Sequence, residues 1–120
     1  VVKMFSGWGP RTVPMQWEKY VRRHPDVTFV VLHIGGIDFG YGSIPFVGRY
    51  LNLMFETSGQ TELQVLHKAF GDLPAEKFIF GSNYPANITQ CSIDLFDILD
   101  LDEAAREKLF SANAKRILYL

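Results

Sequence analysis

The sequence has a single cysteine, Cys91. A lone thiol can neither close an intrachain disulfide nor build a cysteine metal cluster by itself, which excludes a disulfide-stapled scaffold and fits a reducing, cytoplasmic compartment. Cys91 itself reads as a small buried hydrophobe. No uninterrupted apolar run approaches the roughly 20 residues of a membrane helix, and no basic-then-apolar leader opens the chain. Because it begins Val1-Val2-Lys3 without an initiator Met, an N-terminal portion is expected to be missing. An excess of one charge is also lacking: 12 Lys and Arg face 13 Asp and Glu, a formal net charge of −1. That balance gives no reason to expect nucleic acid or an anionic membrane as partner, and leaves a small molecule as the expected ligand.

Several chemistry-bearing motifs are absent too. Gly35, Gly36, Gly40 and Gly42 are not spaced as a dinucleotide fingerprint, and there is no Walker loop. Ser6-Gly7-Trp8-Gly9 and Ser82 have no triad pattern or nucleophile elbow around them, which argues against a serine hydrolase. Neither His-x-His nor His-Glu-x-x-His occurs, so these 120 residues contain no complete metal motif.

What is abundant is core material: 48% hydrophobic and 14% aromatic residues, with ten Phe, enough for one ordinary domain over residues 1–120. Four β-rich runs recur, Val1 to Phe5, Val27 to His33, Leu53 to Thr57 and Phe78 to Phe80, each leading into a Gly-containing segment and most into a helical pattern. Thr12 and Pro14 open the first helix, whose Val13, Trp17, Tyr20 and Val21 share one face until His24-Pro25 stops it. The second run is apolar almost throughout, as in a parallel strand covered on both faces. A glycine-rich loop follows, then a short helix from Ser43-Pro45 toward Tyr50. Thr61 is placed to cap a helix carrying Leu63, Leu66, His67 and Phe70 and closed by Gly71; Ser92 to Leu99 reads as helix, and Asp102 caps the last one.

Strand ends near positions 33, 57 and 82 are about 25 residues apart, close to the roughly 31 per βα unit of a barrel. Four parallel βα units make half of a (β/α)8 barrel; they could equally form a small, complete, doubly wound sheet. Periodicity does not choose between them.

In either case the loops at the C-terminal strand edge line the site. His33 ends an apolar strand, Glu56 with Thr57 and Ser58 ends the third, and Ser82 with Asn83 ends the fourth. Each has an ordinary structural reading: a satisfied buried histidine, a solvated or paired carboxylate, a turn residue.

In order, His24-Pro25-Asp26 through Val31-Leu32-His33-Ile34-Gly35-Gly36, Asn52-Leu53-Met54-Phe55-Glu56-Thr57-Ser58-Gly59, Lys77-Phe78-Ile79-Phe80-Gly81-Ser82-Asn83-Tyr84-Pro85 and Asn113-Ala114-Lys115-Arg116-Ile117-Leu118 resemble the amidohydrolase-related family, which includes the aminocarboxymuconate-semialdehyde decarboxylase-like enzymes. The resemblance implies the C-terminal half of a TIM barrel with about four parallel βα units. It also implies a divalent metal, zinc above all, and hydrolysis of amides, lactones or esters or decarboxylation of small carboxylic acids. His33 matches the family's His-x-Gly-Gly histidine, a catalytic residue acting on substrate or metal-bound water. Asn83 stands where the family has a catalytic, metal-binding Asp, and its neutral amide is a weaker oxygen ligand and no useful base. Phe5 falls where a further metal-binding His is expected. Trp8, Glu56 and Tyr84 are the candidate substrate-binding residues, with Phe39 and Tyr41 also near the mouth.

Two functions follow. One is a metal-dependent hydrolase or decarboxylase whose site is completed by residues outside this chain. The other is a non-catalytic homologue that binds or assembles. A flavodoxin-like binding domain ranks third. Unpaired strand edges in half a barrel also point to a homodimer or to a missing N-terminal half.

Overall fold

The computed structural model describes residues 1–4 and 13–120. Phe5, Trp8 and the Thr12 cap lie outside the described residues. The elements are β1 (Val2–Met4), α1 (Glu18–Arg23), β2 (Phe29–Val31), α2 (Gly36–Arg49), β3 (Leu53–Glu56), α3 (Leu63–Asp72), β4 (Phe78–Ile79), α4 (Thr89–Ile98), α5 (Glu103–Glu107) and α6 (Asn113–Leu118).

The strands lie in the order β1-β2-β3-β4, and all three pairings are parallel. Phe29 sits beside Leu53, and Val31 beside Phe55, which in turn neighbours Phe78. Because strand side chains alternate, Phe29, Val31, Leu53, Phe55 and Phe78 face one side of the sheet. There they meet Val21 of α1, Ile44 and Val47 of α2, Val65 and Leu66 of α3 and Phe96 of α4 in one buried cluster. Four successive helices on one face, with a strand order that never reverses, lack the switch point of a doubly wound sheet. The flavodoxin-like alternative is therefore set aside.

The opposite face is thinner. Val30 and Met54 are covered by Ile117 of α6, with Leu32 and Ile79 at the margin. The Phe allotment goes to the helix side, where Phe70 stacks on Phe78 at 3.9 Å and Phe80, Phe96 and Phe110 continue the aromatic packing.

Three polar side chains, Asn52 and the buried Lys77 and Asn113, tie down the edge where the strands begin. Asn52 Nδ2 donates to the carbonyls of Val21 and His24 at 3.0 Å and of Val27 at 3.2 Å, holding the α1–β2 connection against β3. Lys77 Nζ donates to the carbonyls of Tyr50 at 2.6 Å and Leu53 at 3.0 Å. Burial, reinforced by the charge of Arg116, holds the Lys77 ammonium below the usual lysine range. Asn113 Nδ2 donates to the carbonyls of Ala75 and Phe78, both at 2.8 Å, fixing α6 under β4.

Several expectations shift. The glycine-rich segment is not a loop: Gly36–Arg49 is helix with Pro45 inside it. Its glycines are close-packed, since a Cβ on Gly40 would come within 2.9 Å of Val65 Cγ1. Tyr20 is exposed rather than inward, its ring 5.7 Å from Trp17. The third helix begins after Glu62, without a Thr61 side-chain cap, and runs through Gly71. Asp102 does cap α5, its carboxylate accepting from the Ala105 amide at 2.7 Å. Cys91 is exposed, because the buried positions of α4 and its end fall on Phe96 and Leu99.

Candidate active site

His33 does not end its strand. β2 stops at Val31, and the chain then enters a tight turn in which His33 (φ 59°), Ile34 (φ 49°), Gly35 (φ 85°) and Gly36 (φ 73°) are all left-handed. Left-handed backbone costs a non-glycine residue roughly 1–2 kcal/mol, and more for a β-branched one. Two glycines relieve half of the turn; the rest is held by contacts. Ile34 is fully buried, and the His33 amide donates to Glu56 Oε2 at 3.3 Å.

Glu56 is the last residue of β3, on the face opposite Phe55. Its carboxylate is largely buried and accepts from three donors: the His33 amide, the Ser58 amide at 2.9 Å and the Ser58 hydroxyl at 2.8 Å. The His33 ring is bound to the same serine, its Nδ1 lying 2.5 Å from the Ser58 carbonyl and 2.9 Å from Ser58 Oγ. A charge pairing with Glu56 is longer, at 4.0 Å.

The exit of β4 closes the group. Gly81 N donates to Thr57 Oγ1 at 3.3 Å, and a Cβ on Gly81 would lie 2.7 Å from Glu56 Cδ. Ser82 and Asn83 lie beyond the end of β4 at Ile79 rather than on it. Asn83 takes a left-handed conformation (φ 59°), which asparagine tolerates well, and its carbonyl accepts from Asn87 N. A Cβ on Gly59 would stand 3.3 Å from His33 Nδ1 and 3.8 Å from Asn83 Nδ2, so both side chains border the same glycine. Tyr84 is 77% exposed. Beside this group an open cavity of about 410 Å³ runs between the exits of β3 and β4, lined by Gly59, Gln60, Thr61, Asn87, Cys91 and Ser92 among others.

The fold thus gathers His33, Glu56 and Asn83 at one strand-exit edge, with Tyr84 extending outward. Ser58, named at the end of the third strand but given no role there, links His33 to Glu56. Its signal was the Glu-x-Ser spacing, which lets a hydroxyl two residues past a strand-end carboxylate fold back on it.

Over residues 8–120 the sequence matches the amidohydrolase family. The chain belongs to that family. Comparison with curated proteins finds no match. Among solved structures, a 2,6-dihydroxybenzoate decarboxylase from Rhizobium is 22% identical, with a TM-score of 0.65 over 82% of this chain and 36% of its own. A Polaromonas dihydroxybenzoic acid decarboxylase with bound manganese and an inhibitor is 20% identical, with a TM-score of 0.66 over 83% of this chain and 36% of its own. An amidohydrolase from Burkholderia multivorans with bound zinc is 18% identical, with a TM-score of 0.75 over 92% of this chain and 50% of its own. At these identities the likeness is one of fold: a parallel α/β sheet like that of the amidohydrolase barrels. The amidohydrolase chain spans about half the length of one of these relatives and less of the other two.

The side chains present do not make a metal centre by themselves. Among the described residues no three His, Cys, Asp or Glu side chains converge as ligands. Glu56 is already spent on Ser58 and the His33 amide, His33 Nδ1 on Ser58, and Asn83 offers only an amide. Among the described residues, no helix is long and apolar enough to cross a membrane.

Proposed function

We propose that this chain forms the C-terminal half of a (β/α)8 barrel, about four βα units, and serves a hydrolase or decarboxylase acting on a small carboxylic acid, amide, lactone or ester. The observation that carries this reading is the His33 imidazole, held at the strand-exit edge by Ser58 next to Asn83. An imidazole there can give or take a proton on a substrate bound between the exits of β3 and β4. Tyr84 is the proposed contact to that substrate, together with Trp8, which lies outside the described residues. Asn83 is the altered metal-site position, so a divalent metal such as zinc would need ligands from outside the described residues. The outer sides of β1 and β4, unpaired among the described residues, would be closed by further barrel strands or by a second copy of the chain, in a reducing cytoplasm.

The test is an activity screen of the longest native form of the protein with added zinc or manganese. It would measure carbon dioxide release from hydroxybenzoates and hydrolysis of lactones and amides. Turnover that His33→Asn abolishes is expected; turnover indifferent to that change overturns the assignment.

Asn83 also favours a second reading, a non-catalytic binding or assembly module. Stoichiometric, tight metal in the native protein would sink it. A gain of metal affinity on Asn83→Asp would show that the other ligands survive.

A further inference from the structure

We propose that Glu56 and Ser58 form a hydrogen-bonded relay that fixes the tautomer of His33, placing the proton on Nδ1 and the basic lone pair on Nε2. Glu56 then serves as a positioning residue acting through His33 rather than as a group that touches substrate. The inference deepens the reading of His33 given above and rests on it for its functional meaning, although the tautomer itself does not.

The direction of each bond follows from what its atoms can do. The Ser58 carbonyl, 2.5 Å from His33 Nδ1, has no hydrogen to give, so Nδ1 must be the donor. Ser58 Oγ lies 2.9 Å from the same nitrogen and 2.8 Å from Glu56 Oε2. A carboxylate oxygen accepts only, so the serine hydroxyl gives its proton to Glu56 and turns a lone pair to Nδ1–H. The one Nδ1 hydrogen is therefore shared between the Ser58 carbonyl and Ser58 Oγ, and the hydroxyl passes its own hydrogen on to the Glu56 carboxylate. A protonated Nδ1 in a neutral ring leaves the lone pair on Nε2.

Glu56 holds the backbone as well as the ring. Oε2 also accepts from the His33 amide, and Oε1 from the Ser58 amide at 2.9 Å, so one carboxylate clamps both ends of the relay. Oε1 also presses against Gly81, where a side chain would displace it. A largely buried carboxylate with three internal donors has little left to offer a substrate.

The experiment is nitrogen NMR on the full chain carrying 15N-labelled histidine at about pH 8, where imidazole is mostly neutral. His33→Gln identifies the His33 signals. The expected wild-type result is a protonated Nδ1 and an unprotonated Nε2; the opposite tautomer overturns the proposal with no variant needed. Because the Ser58 carbonyl stays as an acceptor, Ser58→Ala and Glu56→Gln should weaken the Nδ1–H preference and move the Nδ1 resonance, whereas Ser58→Thr, which keeps the hydroxyl as well, should leave that resonance in place. An Nδ1 resonance identical to wild type in a folded Glu56→Gln chain would remove Glu56 from the relay. None of these spectra requires turnover, so an inactive protein with the expected tautomer would overturn the enzymatic reading and leave the relay standing.

Discussion

The carboxylate of Glu56 lies directly against Gly81, at the place where any side chain on that residue would stand. The glycine at the exit of β4 is thus required by the carboxylate at the exit of β3, and the two strand ends are built around each other. Gly81→Ala would put a methyl group 2.7 Å from Glu56 Cδ and 3.1 Å from Ser58 Cβ. Overpacking of this kind costs about 1–3 kcal/mol, and the carboxylate can escape it only by releasing Ser58. Urea unfolding should show that loss of stability. A Gly81→Ala protein as stable as wild type would mean that the carboxylate has room to move.

Lys77 illustrates a side chain whose role composition hides. A lysine before a short strand reads as a solvated charge, yet only 8% of it is exposed and its ammonium serves the carbonyls of Tyr50 and Leu53. Lys77→Met keeps the stem and removes the donors, stranding acceptors at the α2–β3 connection. The expected loss is about 1–3 kcal/mol, read from chemical denaturation. No change would mean that water replaces the ammonium without cost.

Asn113 has the corresponding task beneath β4. The resemblance flagged it within a terminal motif but gave it no job; the fold gives it two carbonyls, of Ala75 and Phe78. Asn113→Ala should cost about 1–3 kcal/mol by leaving them unmet. Asn113→Asp should cost more, because a carboxylate has no hydrogen for either carbonyl and would face both as a buried like-polarity group. Equal stability of the two variants would contradict this account.

These pins show why part of the fold was legible and part was not. The apolar β2 and the Asp102 cap obey local rules: the cap is found at Asp102, and the strand is found within the apolar run, shortened to Phe29–Val31. The glycine-rich stretch after His33 reads as loop because each interior glycine costs a helix about 1 kcal/mol. It is helix because tertiary packing overrides that preference: Gly40 admits Val65, and Ile44 and Val47 are buried from the same element. For the site, strand-end logic gathered His33, Glu56 and Asn83, since parallel strands bring their exits to one edge. It could not foresee the left-handed turn that carries His33 past the strand end, because that turn depends on Glu56, a residue 23 positions away.

Acid should weaken a contact remote from the site. The hydroxyl of Tyr50 donates to Glu18, and Arg49 pairs with the same carboxylate at 3.2 Å. The Tyr50 bond, and then the charge of Arg49, hold Glu18 below the usual carboxylate range, while the Tyr50 hydroxyl is raised by the same bond. A carboxylate lowered in the folded state contributes stability above its unfolded pKa and loses it as pH falls through the folded value. Wild type should therefore exceed Tyr50→Phe in stability at neutral pH, and the difference should shrink below about pH 4.5, the ordinary value of such a group. A difference that stays constant on acidification would exclude this linkage.

Backbone conformation and chemistry can be separated at His33 itself. Its φ of 59° is open to asparagine, which visits the left-handed region readily, but strains a β-branched residue by roughly 1–2 kcal/mol. Both His33→Asn and His33→Val remove the imidazole and keep the amide that bonds Glu56. Their difference in stability therefore reports the turn, while any loss common to both reports the ring and its bonds to Ser58. His33→Asn should unfold at a denaturant concentration clearly above that of His33→Val. If the two unfold together, the turn relaxes at little cost and Glu56 is not what holds it. If they separate as expected, His33→Asn is the variant in which lost turnover can be assigned to the missing imidazole rather than to a collapsed site.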